Sequence, residues 1–158
     1  MIGSVIALGL LGAVFQSQGD IQIDRFTTSD WRVEVKQDRF TGKKHCTATN
    51  HDMVYDRGVL TFHFSPNIDT ANAVFRIDDG AVRTAGSVAV EAAGLGANFS
   101  SKNTRNSSNG EVHIPVVYLS SATTVAIKPN DKAAHRDFKL RGLSEVLTTM
   151  QSRGCGVS

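Results

Sequence analysis

The chain reads as a small, mainly β protein: an antiparallel sandwich, or a curled sheet or partial barrel, with one amphipathic helix near its C-terminus packed on it. Three observations predict this. Short runs alternate apolar and polar residues with period two, turn-forming residues separate them, and one late segment switches to helical spacing.

The first feature along the chain is not a strand. Val5 to Phe15 (VIALGLLGAVF) is an eleven-residue apolar run without charge. A bilayer span needs roughly 20 residues, so this run has the length of a secretory h-region. Small residues at Ser17 and Gly19 suit a signal peptidase, which places cleavage between Gly19 and Asp20. Residues 1–19 are therefore expected to be a signal peptide and 20–158 a single β-rich domain. No later run approaches membrane-spanning length, so no transmembrane segment is expected after leader removal.

Trp31 to Val35 alternates, with Trp31, Val33 and Val35 on one face and Arg32 and Glu34 on the other. Thr41-Gly42 marks a turn, and His45 to Thr49 returns with Cys46 and Ala48 facing inward. In Val59 to Phe64, Leu60, Phe62 and Phe64 share a face opposite Thr61 and His63, and Ser65-Pro66-Asn67 ends the run. Ala73 to Ile77 and Ala81 to Thr84 flank Asp78-Asp79-Gly80, a strong hairpin signal. Ser87 to Ala92 fits either a strand or the start of a short helix. From about 94 to 110 the composition turns to Gly, Ser and Asn, which predicts a long polar loop. Val112 to Leu119 and Thr123 to Ile127 are β-branched runs, and Phe138 to Leu140 a final strand that His135-Arg136-Asp137 leads into. Leu143, Val146, Leu147 and Met150 then recur at i, i+3, i+4 and i+7, one face of a helix over about 143–152 that Gly154 can stop. A transmembrane β-barrel is disfavoured, because the strands fall short of roughly 10 residues and aromatics are only 7%.

There are two cysteines, Cys46 and Cys155, and no CxxC motif. In the oxidising compartment that the leader implies, they are expected to pair. The closed loop would hold about 110 residues, for which the chain-entropy model gives on the order of 4–5 kcal/mol.

With 17 basic and 15 acidic residues mixed along the chain, net charge is +2. Lys43, Lys44 and His45 are the densest basic cluster, far from the basic stripe of a nucleic-acid binder, so no nucleic-acid partner is expected. GxSxG, HExxH, P-loop and GxGxxG signatures are absent. No catalytic residue and no cofactor are assigned. The weak metal candidates are His63, His113 and Glu111: if the strands carrying them were neighbours, two imidazoles and a carboxylate would suit zinc. The plainer alternative is a set of solvated surface histidines. Asp78 and Asp79 read as turn chemistry, since the alternating carboxylates of a calcium loop are missing. In the polar loop, Ser100, Lys102, Asn103, Arg105 and Asn106 could contact a glycan or an anion, or simply form a solvated excursion. Asn98 and Asn106 match the N-glycosylation pattern, which matters only in a eukaryotic secretory pathway.

Three features together resemble the invasion-associated locus B family of bacterial envelope proteins. They are the exported leader, Asp30-Trp31-Arg32-Val33 followed by a cysteine-bearing strand, and Phe138-Lys139-Leu140-Arg141-Gly142-Leu143 with Leu147 beyond; Gly110 to Pro115 fits the same order. The resemblance spans about 30–150. It implies a periplasmic or surface-associated protein linked to envelope integrity or host interaction, and it carries over no site residue. The leading expectation is an exported, non-catalytic protein, periplasmic or secreted, that binds a protein or envelope component. The alternatives are a small metal- or ligand-binding protein or hydrolase using the surface histidines, and a secreted hydrolase inhibitor acting through the polar loop.

Overall fold

The computed structural model describes residues 20–96 and 110–156. The signal peptide expected over 1–19 and most of the polar loop, with Asn98, Ser100, Lys102, Asn103, Arg105 and Asn106, lie outside the described residues.

The fold is mainly β: two antiparallel sheets, not closed into a barrel, sharing one apolar core. The strands are β1 (Ile21–Thr28), β2 (Trp31–Asp38), β3 (Lys44–Asn50), β4 (Met53–Asp56), β5 (Val59–His63), β6 (Val74–Ile77), β7 (Arg83–Thr84), β8 (Glu111–Pro115), β9 (Thr124–Lys128) and β10 (Arg136–Lys139). Helices are α1 (Gly86–Gly94) and α2 (Leu143–Ser152), with a 3-10 turn at Val116–Tyr118. The larger sheet runs β1-β2-β3-β4-β5-β8 and the smaller β10-β9-β6-β7.

The expected alternation sets the inner face. Trp31, Val33 and Val35 on β2, Cys46 and Ala48 on β3, Leu60 and Phe62 on β5 and Val125 and Ile127 on β9 are all buried. The Asp78-Asp79-Gly80 hairpin forms, pairing Val74 with Thr84 and Phe75 with Arg83. Asp78 takes a left-handed backbone, and its carboxylate accepts from the Thr123 hydroxyl and the Thr123 and Thr124 N–H groups. It is turn chemistry, as the sequence indicates.

Four details depart from expectation. β1 and β4 are strands that the sequence reading leaves unassigned. The β8 strand stops at Pro115, because proline has no N–H for a ladder, and the chain turns into the 3-10 segment. Ser87 to Ala92 resolves as helix α1, with Val88 and Ala92 buried one turn apart, so a second helix accompanies the C-terminal one. Among the described residues no helix is long and apolar enough to cross a membrane.

Helix α2 buries Leu143, Val146 and Met150, three of the four positions read from the spacing, and Leu147 is half-buried against the core. Both of its ends are pinned. At the N-terminal end the Trp31 indole N–H donates to the Arg141 carbonyl at 2.9 Å. Gly142 follows with φ +76, and a Cβ there would lie 2.6 Å from the Ser29 Cβ, so only glycine fits. At the C-terminal end Gly154, also left-handed, closes the helix with Gly154 N–H to Gln151 O and Cys155 N–H to Met150 O. Cys155 is joined at once to Cys46 on β3, across a Cα–Cα distance of 5.9 Å. Lys44 Nζ caps the Arg153 carbonyl, while the Arg153 guanidinium lies 3.9 Å over the Phe26 ring and pairs with Asp24 on β1.

Two outcomes follow. Replacing both cysteines by alanine should lower unfolding free energy by about 4–5 kcal/mol in urea titrations if unfolded-state entropy dominates. Gly142→Ala should cost more than about 1 kcal/mol in the same assay, through its backbone conformation and the Ser29 clash.

Candidate functional site

Among the described residues, the outward face of β5 and β8 and a cleft at one end of the sandwich each gather polar side chains. On the first, register sets Thr61 opposite His113 and His63 opposite Glu111. One carboxylate therefore stands between two imidazoles: His63 Nδ1 lies 3.5 Å from Glu111 Oε1 and His113 Nε2 3.5 Å from Glu111 Oε2. The Thr61 hydroxyl is 2.9 Å from His113 Nδ1. A neutral His113 ring carrying its proton on Nε2 accepts from Thr61 and faces the carboxylate with its N–H.

The juxtaposition anticipated for His63, His113 and Glu111 is thus present, but each imidazole addresses a different oxygen. Among the described residues no group of three or more His, Cys, Asp or Glu side chains could hold a metal ion. The arrangement is a pair of imidazole–carboxylate contacts with one Thr61–His113 hydrogen bond, and not a chelate. The histidines also differ from one another. His63 is 37% exposed, whereas His113 is 9% exposed, so the expectation of two solvated histidines is corrected for His113. Burial holds its pKa below the ordinary histidine value; Glu111 opposes that shift and His63 adds to it.

The second place is a cleft of about 450 Å³ at one end of the sandwich, between the β3–β4 turn and β10. Its charged rim carries Asp30, Asp52, Arg136, Asp137, Lys139 and Arg141, with Met53 and Phe138 beneath. Arg136 crosses from one sheet to the other: its guanidinium pairs with Asp52, lies 3.4 Å from the His63 carbonyl, and covers the Phe138 ring at 4.6 Å. Asp30, Lys139 and Arg141 form no ion pair among the described residues.

Asn50 lines this cleft and is only 7% exposed. It continues the inward phase of Cys46 and Ala48, at the position where the strand would otherwise place another apolar residue. No protein group among the described residues hydrogen-bonds its carboxamide, whose polar atoms are not among the buried unpaired ones and so meet solvent in the cleft. Sequence reasoning missed it because the β3 reading stopped at Thr49. The signal was there, in a polar residue at the third inward position of an alternating strand.

The cysteine pair is an oxidised staple and contributes no thiol. In comparisons with known proteins, no family model, no curated protein and no solved structure matches the chain.

The His113 environment sets a pH dependence. Its folded-state pKa is depressed, so below about 6.5 the unfolded chain binds the proton more readily than the native protein. Stability from this group is complete above about 6.5 and falls as pH drops through the depressed native value. Thermal melts from pH 7.5 to 4.5 should show this decline, and His113→Gln should flatten it.

Proposed function

We propose that the chain is an exported, non-catalytic binding protein of a bacterial envelope, periplasmic or secreted, which engages a protein or envelope component through the cleft at the end of its sandwich. The observation that carries this reading is Asn50. Its carboxamide lines the cleft and pairs with no other protein group among the described residues, so a ligand can take its donors and acceptor without breaking a hydrogen bond within the fold. The oxidised Cys46–Cys155 pair supports an oxidising compartment, in keeping with the apolar run at Val5 to Phe15. The resemblance to the invasion-associated locus B family points the same way. Its two signature segments touch through the Trp31 indole and the Arg141 carbonyl.

A second reading has one specific observation in its favour. Thr61, His113 and Glu111 are in the order hydroxyl, imidazole, carboxylate, the arrangement of an activated nucleophile. In that reading the chain is a small hydrolase. The burial of His113 weighs against it, because a general base needs access to substrate.

Three measurements test these readings. Expressed with its leader in a bacterium, the protein should lose residues 1–19 by intact mass and should show two thiols that label only after reduction. An unprocessed chain with free thiols would defeat the export reading. A photo-crosslinking residue at Asp137, on the cleft rim, should capture an envelope component, whereas one at Val90, 85% exposed on α1, should not. Equal capture at both positions, or none at either, sinks the binding reading. Turnover of p-nitrophenyl esters that disappears in Thr61→Val would instead establish the hydrolase.

A further inference from the structure

We infer that the end cleft holds the carboxyl-terminal end of an extended peptide, which pairs with the open edge of β10. The inference rests on the binding reading above and names its ligand class.

The cleft wall is a strand edge. β10 pairs with β9 on one side only and is the last strand of the smaller sheet. Its four residues, Arg136 to Lys139, all line the cleft. Backbone N–H and C=O groups on such an edge are ready partners for another extended chain, and adding a strand is the commonest way a sheet reads a peptide backbone. Most sugars or compact anions would leave part of that row unused.

Asn50 supplies the second contact from the opposite wall. A carboxamide has one acceptor and two donors, the complement of a single peptide group. Sitting 7% exposed at the cleft, it can pair with a backbone amide of a chain lying along β10. The third contact is electrostatic. Lys139 and Arg141, at the C-terminal end of β10, have no ion-pair partner among the described residues, and together they suit a terminal carboxylate. Asp30 and Asp137 also line the cleft; both are acceptors, suited to peptide N–H groups and opposed to further acidic side chains. The other end is closed by the Arg136–Asp52 pair, which spans the sheets. A volume of about 450 Å³ falls at the small end of the usual range for ligand sites, enough for roughly three or four residues. With its carboxylate at Lys139 and Arg141, the peptide runs parallel to β10.

The experiment is an NMR titration of the ¹⁵N-labelled full chain with a tetrapeptide mixture bearing free C-terminal carboxylates, then with the same mixture amidated. Shifts are expected along Arg136 to Arg141 and at the Asn50 side-chain amide. Amidation should weaken binding about tenfold or more, the size expected for losing charge-assisted hydrogen bonds. Asn50→Ala should weaken the free-acid peptides by a similar factor while its melting temperature stays level or rises, because the free protein loses no hydrogen bond. Lys139→Met with Arg141→Met, both at the surface, should abolish the preference for acid over amide. The inference is overturned if Asn50→Ala lowers the melting temperature by more than about 5 °C, the mark of a structural role. It is also overturned if neither peptide mixture shifts the cleft. Should chitotriose, an uncharged sugar trimer, shift the same residues where peptides do not, the cleft is a saccharide site; the peptide inference then fails while the binding reading stands. Failure of both, together with no crosslink from Asp137, removes both.

Discussion

Helix α2 is fastened at both ends, and the arrangement of the two sheets depends on that. Its own residues bury three side chains in the core. A ten-residue helix is marginal alone in water, so its stability comes from packing and from what holds it in place. One anchor is polar and local, the Trp31 indole on the Arg141 carbonyl with Gly142 pressed against Ser29. The other is covalent, Cys46 to Cys155. Around the second, the Arg153 guanidinium meets both Asp24 and the face of Phe26, so the edge strand β1 is secured to the helix that follows the last strand. The first and last elements of the described fold are thereby joined through side chains.

The same anchoring shapes the cleft. Trp31 draws the segment after β10 towards β2, and Arg136 ties the start of β10 to Asp52 on the β3–β4 turn. Between these two fastenings the sheets stand apart and Asn50 lies at the gap. A sandwich closes wherever apolar side chains meet from both sides. Here the third inward position of β3 is a carboxamide, which keeps the end open to polar partners.

Much of this was legible in the chain because period-two alternation is a strong signal where one face is buried. Trp31, Val33, Val35, Leu60 and Phe62 all point where their spacing says, and three of the four α2 stripe residues are buried, with Leu147 half-buried beside them. The failures have physical causes. β1 alternates, but Ile21 and Ile23 are exposed, so its apolar phase points away from the core and imitates the tail of the leader. β4 is four residues long, below the length at which a pattern separates from chance. In Ser87 to Ala92 the Val88–Ala92 spacing fits a helix, yet Val88 and Val90 also fit a strand; packing against β8 decides it. The histidine–carboxylate contacts required knowing that β8 returns beside β5, a long-range pairing no local pattern encodes. Asn50 was legible and was lost to a strand boundary placed one residue early.

The disulfide also defines how this molecule answers to tension. The chain between Cys46 and Cys155 is a covalent ring, and it contains all of the smaller sheet, both helices, and about half of the larger sheet, from Cys46 on β3 through β4, β5 and β8. A pull applied to the two termini passes from one cysteine to the other without entering that ring. Among the described residues, the stretch that can peel away before the ring is loaded runs from Asp20 to Cys46, a gain of about 90 Å of contour at the reach of an extended chain. The cleft lies almost wholly inside the ring, with Asp30 alone contributed from the part that can yield. Tethered through its N-terminal end to a moving surface, the protein would stretch like a short leash on a rigid body, and the cleft would keep its shape.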